Sequence, residues 1–434
     1  MPLTGPTTAI PNLSSASGIG TGAVAFWSTP TGLASDTVFT FNSSNNQLVV
    51  GGATGQGSGS VQIAGDLITA GPHPGVDVRT FGATWGPSGF DNSQAIQAAI
   101  NSLSNSGGTV YLPAPSGPGF SMYGIATTLL INSSSIKIKG DSSFATADVG
   151  GQAQERGTFL WWQGGSGVPM MKVSPTTPVV GTSQALKRVE VSDLTFECAG
   201  SAAIGLQILS AQSSDFHHLY FRNPYQVALD VGVVASGTAL GEAKDTTKTT
   251  FRNISIRAID GVSGAGMRLD GDGIGNVSLC MFEDISVVHG NGKGILHNNS
   301  DTNKFTNVFM NRAAGTSGIG WDVTGSNING LQSRANLFDQ ISVGPGGMYL
   351  RGSGLAWPTR DNICILYSQE NGEPLPVIEG SATFYWRGST GVNSSMLGNS
   401  PAFRVPTSAI LNAAGGTNAT TPYLHIWFQV PTNN

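Results

Sequence analysis

Charge is scarce in this sequence. Only 11% of its 434 residues are Asp, Glu, Lys or Arg, where about 25% is usual. The net charge is −5 and the 21 basic residues nowhere cluster, which excludes a surface built to neutralise phosphates. Nucleic acid and anionic membrane are therefore not expected partners. Long apolar runs are also missing: none approaches the ~20 residues that span a bilayer, so no membrane insertion is expected. The cysteines, Cys198, Cys280 and Cys364, are odd in number and far apart. They fit no zinc or redox spacing and read as reduced, mostly buried thiols. A phosphate loop, a nucleophile elbow and a zinc motif are absent too, and no cofactor or resident metal is expected.

What the chain has instead is glycine, 60 residues of it, about twice the usual ~7% share. Abundant Gly, Ser, Thr and Asn suits a backbone that turns every few residues. With 39% hydrophobic residues the chain can still bury a long core, so general disorder is not expected.

The stretch from Gly75 to Gly140 carries most of the fold information. In order it reads as a strand, a glycine-rich turn, one amphipathic helix, a strand ending in Leu112-Pro113, and two further short strands. Asp91 is placed to cap the helix, with Gln94 three residues on completing a capping box. Ala95, Ile96, Ala99, Ile100 and Leu103 share one face, and Gly107-Gly108 ends the helix, which is expected near residues 91–106. One helix followed by a long series of strands suggests a lid on the open end of a β-structure.

A six-residue motif then recurs: apolar, two polar, apolar, any, apolar. Its copies start at Val191, Phe216, Phe251, Phe282, Phe305 and Phe338, at spacings within the ~20–50 residues that mark solenoids. A second strand follows each copy, usually opened by Gly, as in Gly266-Met-Arg-Leu-Asp270 and Gly320-Trp-Asp-Val-Thr324. Alternation points Met267, Leu269, Trp321, Val323, Met348 and Leu350 inward, and Arg268, Asp270, Asp322, Tyr349 and Arg351 outward.

The motifs DVRTFGA, AIQAAI, GGTVYLP and IKIKG resemble those of the pectate-lyase-like superfamily, in its phage tail-spike and fibre-type branch. The late run from Asn371 to Gly380 resembles such tail proteins as well. The resemblance covers roughly residues 75 to 380. It implies an all-β fold, a right-handed parallel β-helix with one N-terminal capping helix and small β-rich regions at both ends. The expected organisation is a virion-attachment region at 1–72, with a hairpin around Asn45-Asn46, the β-helix at 73–380, and a C-terminal β-region at 381–434. The resemblance also implies a homotrimer.

Candidate chemistry lies in outward columns, because strands about 4.7–4.9 Å apart stack matching residues. One column runs Leu209, Asp230, Asp270, Asn298, Thr324, Arg351, Glu379, with Asp230 and Asp270 as neighbours and Arg268 and Asp272 close by. These four are the candidate catalytic residues, since paired carboxylates flanking a sugar bond serve glycoside hydrolysis. The competing reading, a hydrogen-bonded ladder on a solvated wall, is the favoured one. Trp162, Tyr349 and Trp357 are candidate glycan-stacking residues. His217-His218 reads as a general acid or base, or as a satisfied polar pair, and His297 takes no role because a one-residue slip would reverse its side.

The polygalacturonase signatures of the superfamily are missing; His289-Gly-Asn-Gly is the nearest approach. Asp270-Gly-Asp272 is at most a fragment of a cation site. The first residues, MPLTGPTTAIPNL, show no basic and apolar leader regions, which weighs against a conventionally secreted pectin-degrading enzyme. The expectation is a virion tail component made in the host cytoplasm and acting outside it. Its partners would be a bacterial surface polysaccharide, bound or also degraded, and other virion proteins through residues 1–72. A purely structural or adhesive role is the alternative.

Overall fold

The structure is a computed structural model. It describes residues 75–86, 90–114, 122–143, 157–175, 185–199, 201–202, 204–232, 246–257, 264–270, 277–298, 300–313, 315–324, 333–344 and 346–351, with the strands 23–29, 32–42, 47–50 and 61–63 before them and 362–364, 367–369, 377–379, 384–386 and 390–391 after them. The chain divides into two compact units, Met1–Pro74 and Gly75–Asn434. In the first, Gly32–Asn42 pairs antiparallel with Ala23–Thr29 and with Gln47–Val50, the latter as a hairpin closing at Asn42 and Gln47.

The second unit is a parallel β-helix. Its long sheet stacks Glu190–Glu197, Asp215–Arg222, Thr250–Arg257, Met281–His289, Lys304–Arg312 and Leu337–Val343, each parallel to the next. A second sheet stacks Ile204–Ile208, Val227–Val231, Ala265–Asp270, Lys293–Asn298, Ile319–Thr324 and Met348–Arg351 in the same manner. A short third sheet runs from Leu186–Lys187 to Ser300–Asp301. The parallel ladder continues beyond residue 380 through Phe384–Trp386 and Thr390–Gly391. The remainder of the expected C-terminal region lies outside the described residues.

The recurring motif accounts for the long strand. Its first position pairs Phe216, Phe251, Phe282, Phe305 and Phe338 in register, and all five are fully buried. Neighbouring rings stack with centroids 4.7–5.3 Å apart. Its third position bends the strand: Asp193, His218, Asn253, Asp284, Asn307 and Gln340 all have φ between 51° and 59°. Asp, Asn and His are the non-glycine residues that tolerate this left-handed region best, which explains the polar third position. In the second sheet the opening glycine answers a close approach. A Cβ on Gly294 would stand 2.5 Å from the Gly320 carbonyl oxygen of the next coil.

The tight turn before the long strand is held by buried amides. The Asn336 side chain accepts from the Asn303 backbone N–H at 3.0 Å, and that of Asn362 accepts from the Asn336 N–H at 3.1 Å. Each side-chain NH2 of Asn303, Asn336 and Asn362 donates to a backbone carbonyl, those of Val277, Ser300 and Ser333. The turn's backbone groups, which would otherwise be buried unpaired, are satisfied from coil to coil.

The helix spans Ser93–Ser102 and buries Ile96, Ala99 and Ile100. Its N-cap is Asn92 rather than Asp91, and the Asn92 side chain accepts from Thr84 instead of from the helix. Asp91 accepts from the Ser93 N–H at 2.9 Å. The expected capping box through Gln94 is replaced by a contact of another kind. Gln97 accepts from the Leu130 N–H at 2.7 Å and donates to the Leu130 carbonyl at 3.0 Å. Its amide thereby closes the free edge of Leu129–Ile131, the last strand of the second sheet.

His297 is inward and fully buried between Leu269 and Val323 in register, packed against Phe305 and Phe338. Burial depresses its pKa to about 4.

Truncating Phe282 to Ala is expected to cost about 3–5 kcal/mol in urea unfolding, because the ring is clamped between two others. A second expectation concerns acid. Between about pH 6.5 and 4 the unfolded chain takes up a proton at His297 that the folded chain refuses, so stability is full above the unfolded pKa and falls as pH drops through this window. His297→Leu, which matches its neighbours in the column, is expected to lose roughly 2–3 kcal/mol less than the parent between neutral and about pH 4, measured by the same unfolding.

Candidate functional site

The outer face of the second sheet does not carry the acidic pair expected there. Leu229 stacks on Met267, so Asp230 sits over Arg268, and Asp270 sits over Asn298 on the next coil. Asp230 is thus displaced two residues from the expected column and is not the rung neighbour of Asp270. The strand Val227–Val231 begins its inward positions earlier than an alignment on Leu229 and Leu269 implies. A two-residue slip preserves alternation, so inward and outward sides stay correct while the stacking partner changes.

The outward side chains are also not all solvated. Asp230 is fully buried and Arg268 holds it with two bonds of 2.8 Å, from Nε to Oδ1 and from a terminal NH2 to Oδ2. Gln207 on the preceding coil donates to the same carboxylate at 3.3 Å. The Arg268 pKa is raised: burial opposes its charge, but the bonds to Asp230 and the charges of Asp230 and Asp270 outweigh it. Asp322, also expected outward on a wet wall, is fully buried with Lys293 Nζ 2.6 Å from its Oδ2. This stretch of wall is built of two ion pairs, Arg268 with Asp230 and Lys293 with Asp322, rather than of free carboxylates.

Asp270 is half-buried and accepts from Asn298 at 2.9 Å, and Asn298 accepts from Thr324 at 3.1 Å. Here the polar ladder exists as read from the sequence. Trp162 is 1% exposed, its ring inside the core and its Nε1 donating to the Gly165 carbonyl, so it presents no face to a sugar. Tyr349 is half-buried and in register with Asp322. Asp272 and Trp357 lie outside the described residues, as do the side chains of Arg351 and Glu379.

A second polar constellation lies on the long sheet, where sequence reasoning singled out His217-His218 but missed the carboxylates beside them. Glu190 and Asp215 are true rung neighbours, one residue before the first position of the motif. The same Phe alignment that ordered the core would have placed them together. His217 Nε2 lies 3.5 Å from Glu190 and 3.8 Å from Asp215. Its Nδ1 is 2.9 Å from Nδ1 of His218, which in turn lies 3.5 Å from Asp193. Lys137 pairs with Glu190 at 3.0 Å, and Arg252 with Asp215 at 2.8 Å. Arg252 is in register with Glu283 on the next coil, yet it bonds back to Asp215 on the preceding one.

No family model matches the chain, and no curated protein matches it. Several solved structures are similar. One is ORF18 of Geobacillus virus E2, with a TM-score of 0.49 and 15% identity over 74% of this chain and 62% of that one. Another is the tailspike gp49 of Acinetobacter baumannii bacteriophage Fri1, a capsular polysaccharide depolymerase, with a TM-score of 0.43 and 12% identity over 74% and 62%. A third is DFA-IIIase from Arthrobacter chlorophenolicus A6, with a TM-score of 0.39 and 15% identity over 73% and 79%. This chain spans 62% of the length of each of the first two. At these scores the likenesses carry no argument about chemistry. The coil register itself makes the chain a parallel β-helix, the architecture of the pectate-lyase-like proteins that its opening segment resembles.

Removing one partner of the buried pair is expected to be costly: Arg268→Ala should destabilise by about 3–5 kcal/mol, by leaving Asp230 buried and unpaired. The double variant Asp230→Leu/Arg268→Met should recover most of that loss. Equilibrium unfolding of the two singles and the double checks it.

Proposed function

We propose that this chain is a phage tail-spike or fibre-type protein whose β-helix presents an outer wall to a bacterial surface polysaccharide. The observation that carries the reading is the β-helix itself, opened by a segment that resembles the phage branch of the pectate-lyase-like superfamily. Its outer columns of Asp, Asn, Thr and Ser supply hydrogen-bond donors and acceptors at a regular spacing along one axis, which suits a linear hydroxyl-rich polymer. Residues 1–72 are assigned to attachment to the particle, the assembly to a homotrimer, and the site of action to the virion surface.

The second sheet does not favour cleavage. A general acid must hold a proton and a nucleophile must be free to approach carbon, whereas Asp230 is buried and doubly bonded to a guanidinium. Strand geometry separates its Cα from that of Asp270 by about 8 Å, with Arg268 between them.

The test is incubation of the purified chain with capsule and lipopolysaccharide preparations from a panel of bacteria, following both retention of the protein and release of oligosaccharides. At least one preparation is expected to retain the protein, and any oligosaccharide release is expected to persist in Asp230→Asn. A loss of release by a factor of ~10² or more in a folded Asp230→Asn or Asp270→Asn variant would make the pair catalytic. Retention by no preparation would remove the polysaccharide reading.

A further inference from the structure

The six histidines of the chain are scattered except for one adjacent pair, His217-His218. That pair stands within a cluster of polar side chains on the long sheet. Asp215, His217, Tyr220 and Arg222 leave one strand on its outer face, flanked by Glu190 on the preceding coil and Arg252 on the next. His218 occupies the left-handed bend with φ 51°, which lifts its ring out of the alternation. It is the most open of the group, with a side chain 46% exposed against 13% for His217.

The charges in this patch are already spent on one another. Lys137 faces Glu190, Arg252 faces Asp215, and Arg222 faces Glu197 at 3.1 Å. With three of its four carboxylates matched by a cation, the patch offers little net charge to an ionic ligand. It offers instead donors and acceptors of both kinds: the carboxylates of Asp193 and Asp215, 23% and 35% exposed, the imidazole of His218, the guanidinium of Arg252 and, two residues along, the half-buried ring of Tyr220. A carboxylate accepts from two neighbouring hydroxyls while an adjacent cation donates to their oxygens, and an aromatic face takes the C–H side of a sugar ring. On the second sheet, by contrast, Asp230 and Asp322 are buried, and the half-buried Asp270 is engaged by Asn298.

We propose that the long-sheet patch around His218, formed with Asp193, Asp215, Tyr220 and Arg252, is the glycan contact site of this protein, and that it takes an uncharged, vicinal-diol-bearing sugar segment lying along the stack of coils. The assignment rests on the polysaccharide reading given above and names the surface that serves it. His217 is a positioning residue: it sits between Glu190 and Asp215 and, through its Nδ1, holds His218.

The experiment uses the full chain on an array of purified bacterial capsular polysaccharides and O-antigens, both neutral and acidic. Two substitutions are borrowed from the protein's own columns, so that folding is kept. His218→Asn follows Asn253 and Asn307 at the same bend, and Tyr220→Ser follows Ser255 and Ser286 in the same register position. Each is expected to weaken binding to a neutral glycan at least tenfold, with an unchanged unfolding midpoint, while Asp270→Asn leaves binding as in the parent. Full binding in both long-sheet variants, or loss confined to Asp270→Asn, would overturn the site and leave the polysaccharide reading standing. Binding only to acidic glycans, abolished by salt, would overturn the ligand class. A parent that binds nothing on the array would overturn the polysaccharide reading and the site with it.

Discussion

Parallel pairing in strict register is the constraint on which everything else in this β-helix depends. Each coil lies one strand spacing from the next, about 4.8 Å, so any residue type repeated at a motif position becomes a column. For Phe that column is a continuous stack with almost parallel rings, the best interplanar angle being 4° between Phe251 and Phe282. For Asn it is a chain of amides that satisfy the turn's backbone. For charged residues it is a chain of close polar contacts running from Lys137 through Glu190, His217 and Asp215 to Arg252, with an ion pair at each end. The same geometry that makes the core repetitive makes the surface so, and it places chemistry by coil number rather than by nearness in sequence.

How much of this was legible depended on the period of the signal. The long sheet could be read because its motif is aperiodic within six residues: a polar pair inside an apolar frame admits one alignment. The bend at Asp193, His218, Asn253 and their partners explains why the frame is unusual, since a plain strand would alternate without interruption. The second sheet repeats with period two, and a two-residue slip there is silent. Met267, Leu269, Trp321 and Val323 were placed inside correctly, yet Asp230 was stacked on the wrong partner. Burial of Asp230 and Asp322 was illegible for a different reason: alternation tells which side of a strand a residue leaves, and says nothing of what lies over it.

The helix shows the same division. Its apolar face followed from spacing, while its first residue and its bonds did not. The side chain that matters most there, Gln97, is a polar residue in mid-helix with no local signature, because its partner is 33 residues away in sequence. Long-range pairing of an amide with a strand leaves no trace in a propensity or a capping pattern.

That glutamine has a consequence for how the protein behaves in bulk. A stack of parallel strands ends in a row of backbone donors and acceptors able to recruit another chain, and the recruited chain would present the same row again. By taking up both backbone groups of Leu130, Gln97 removes the middle rung of that template from the second sheet. Copies of this chain held close together are thereby discouraged from growing end to end into a fibre at this strand.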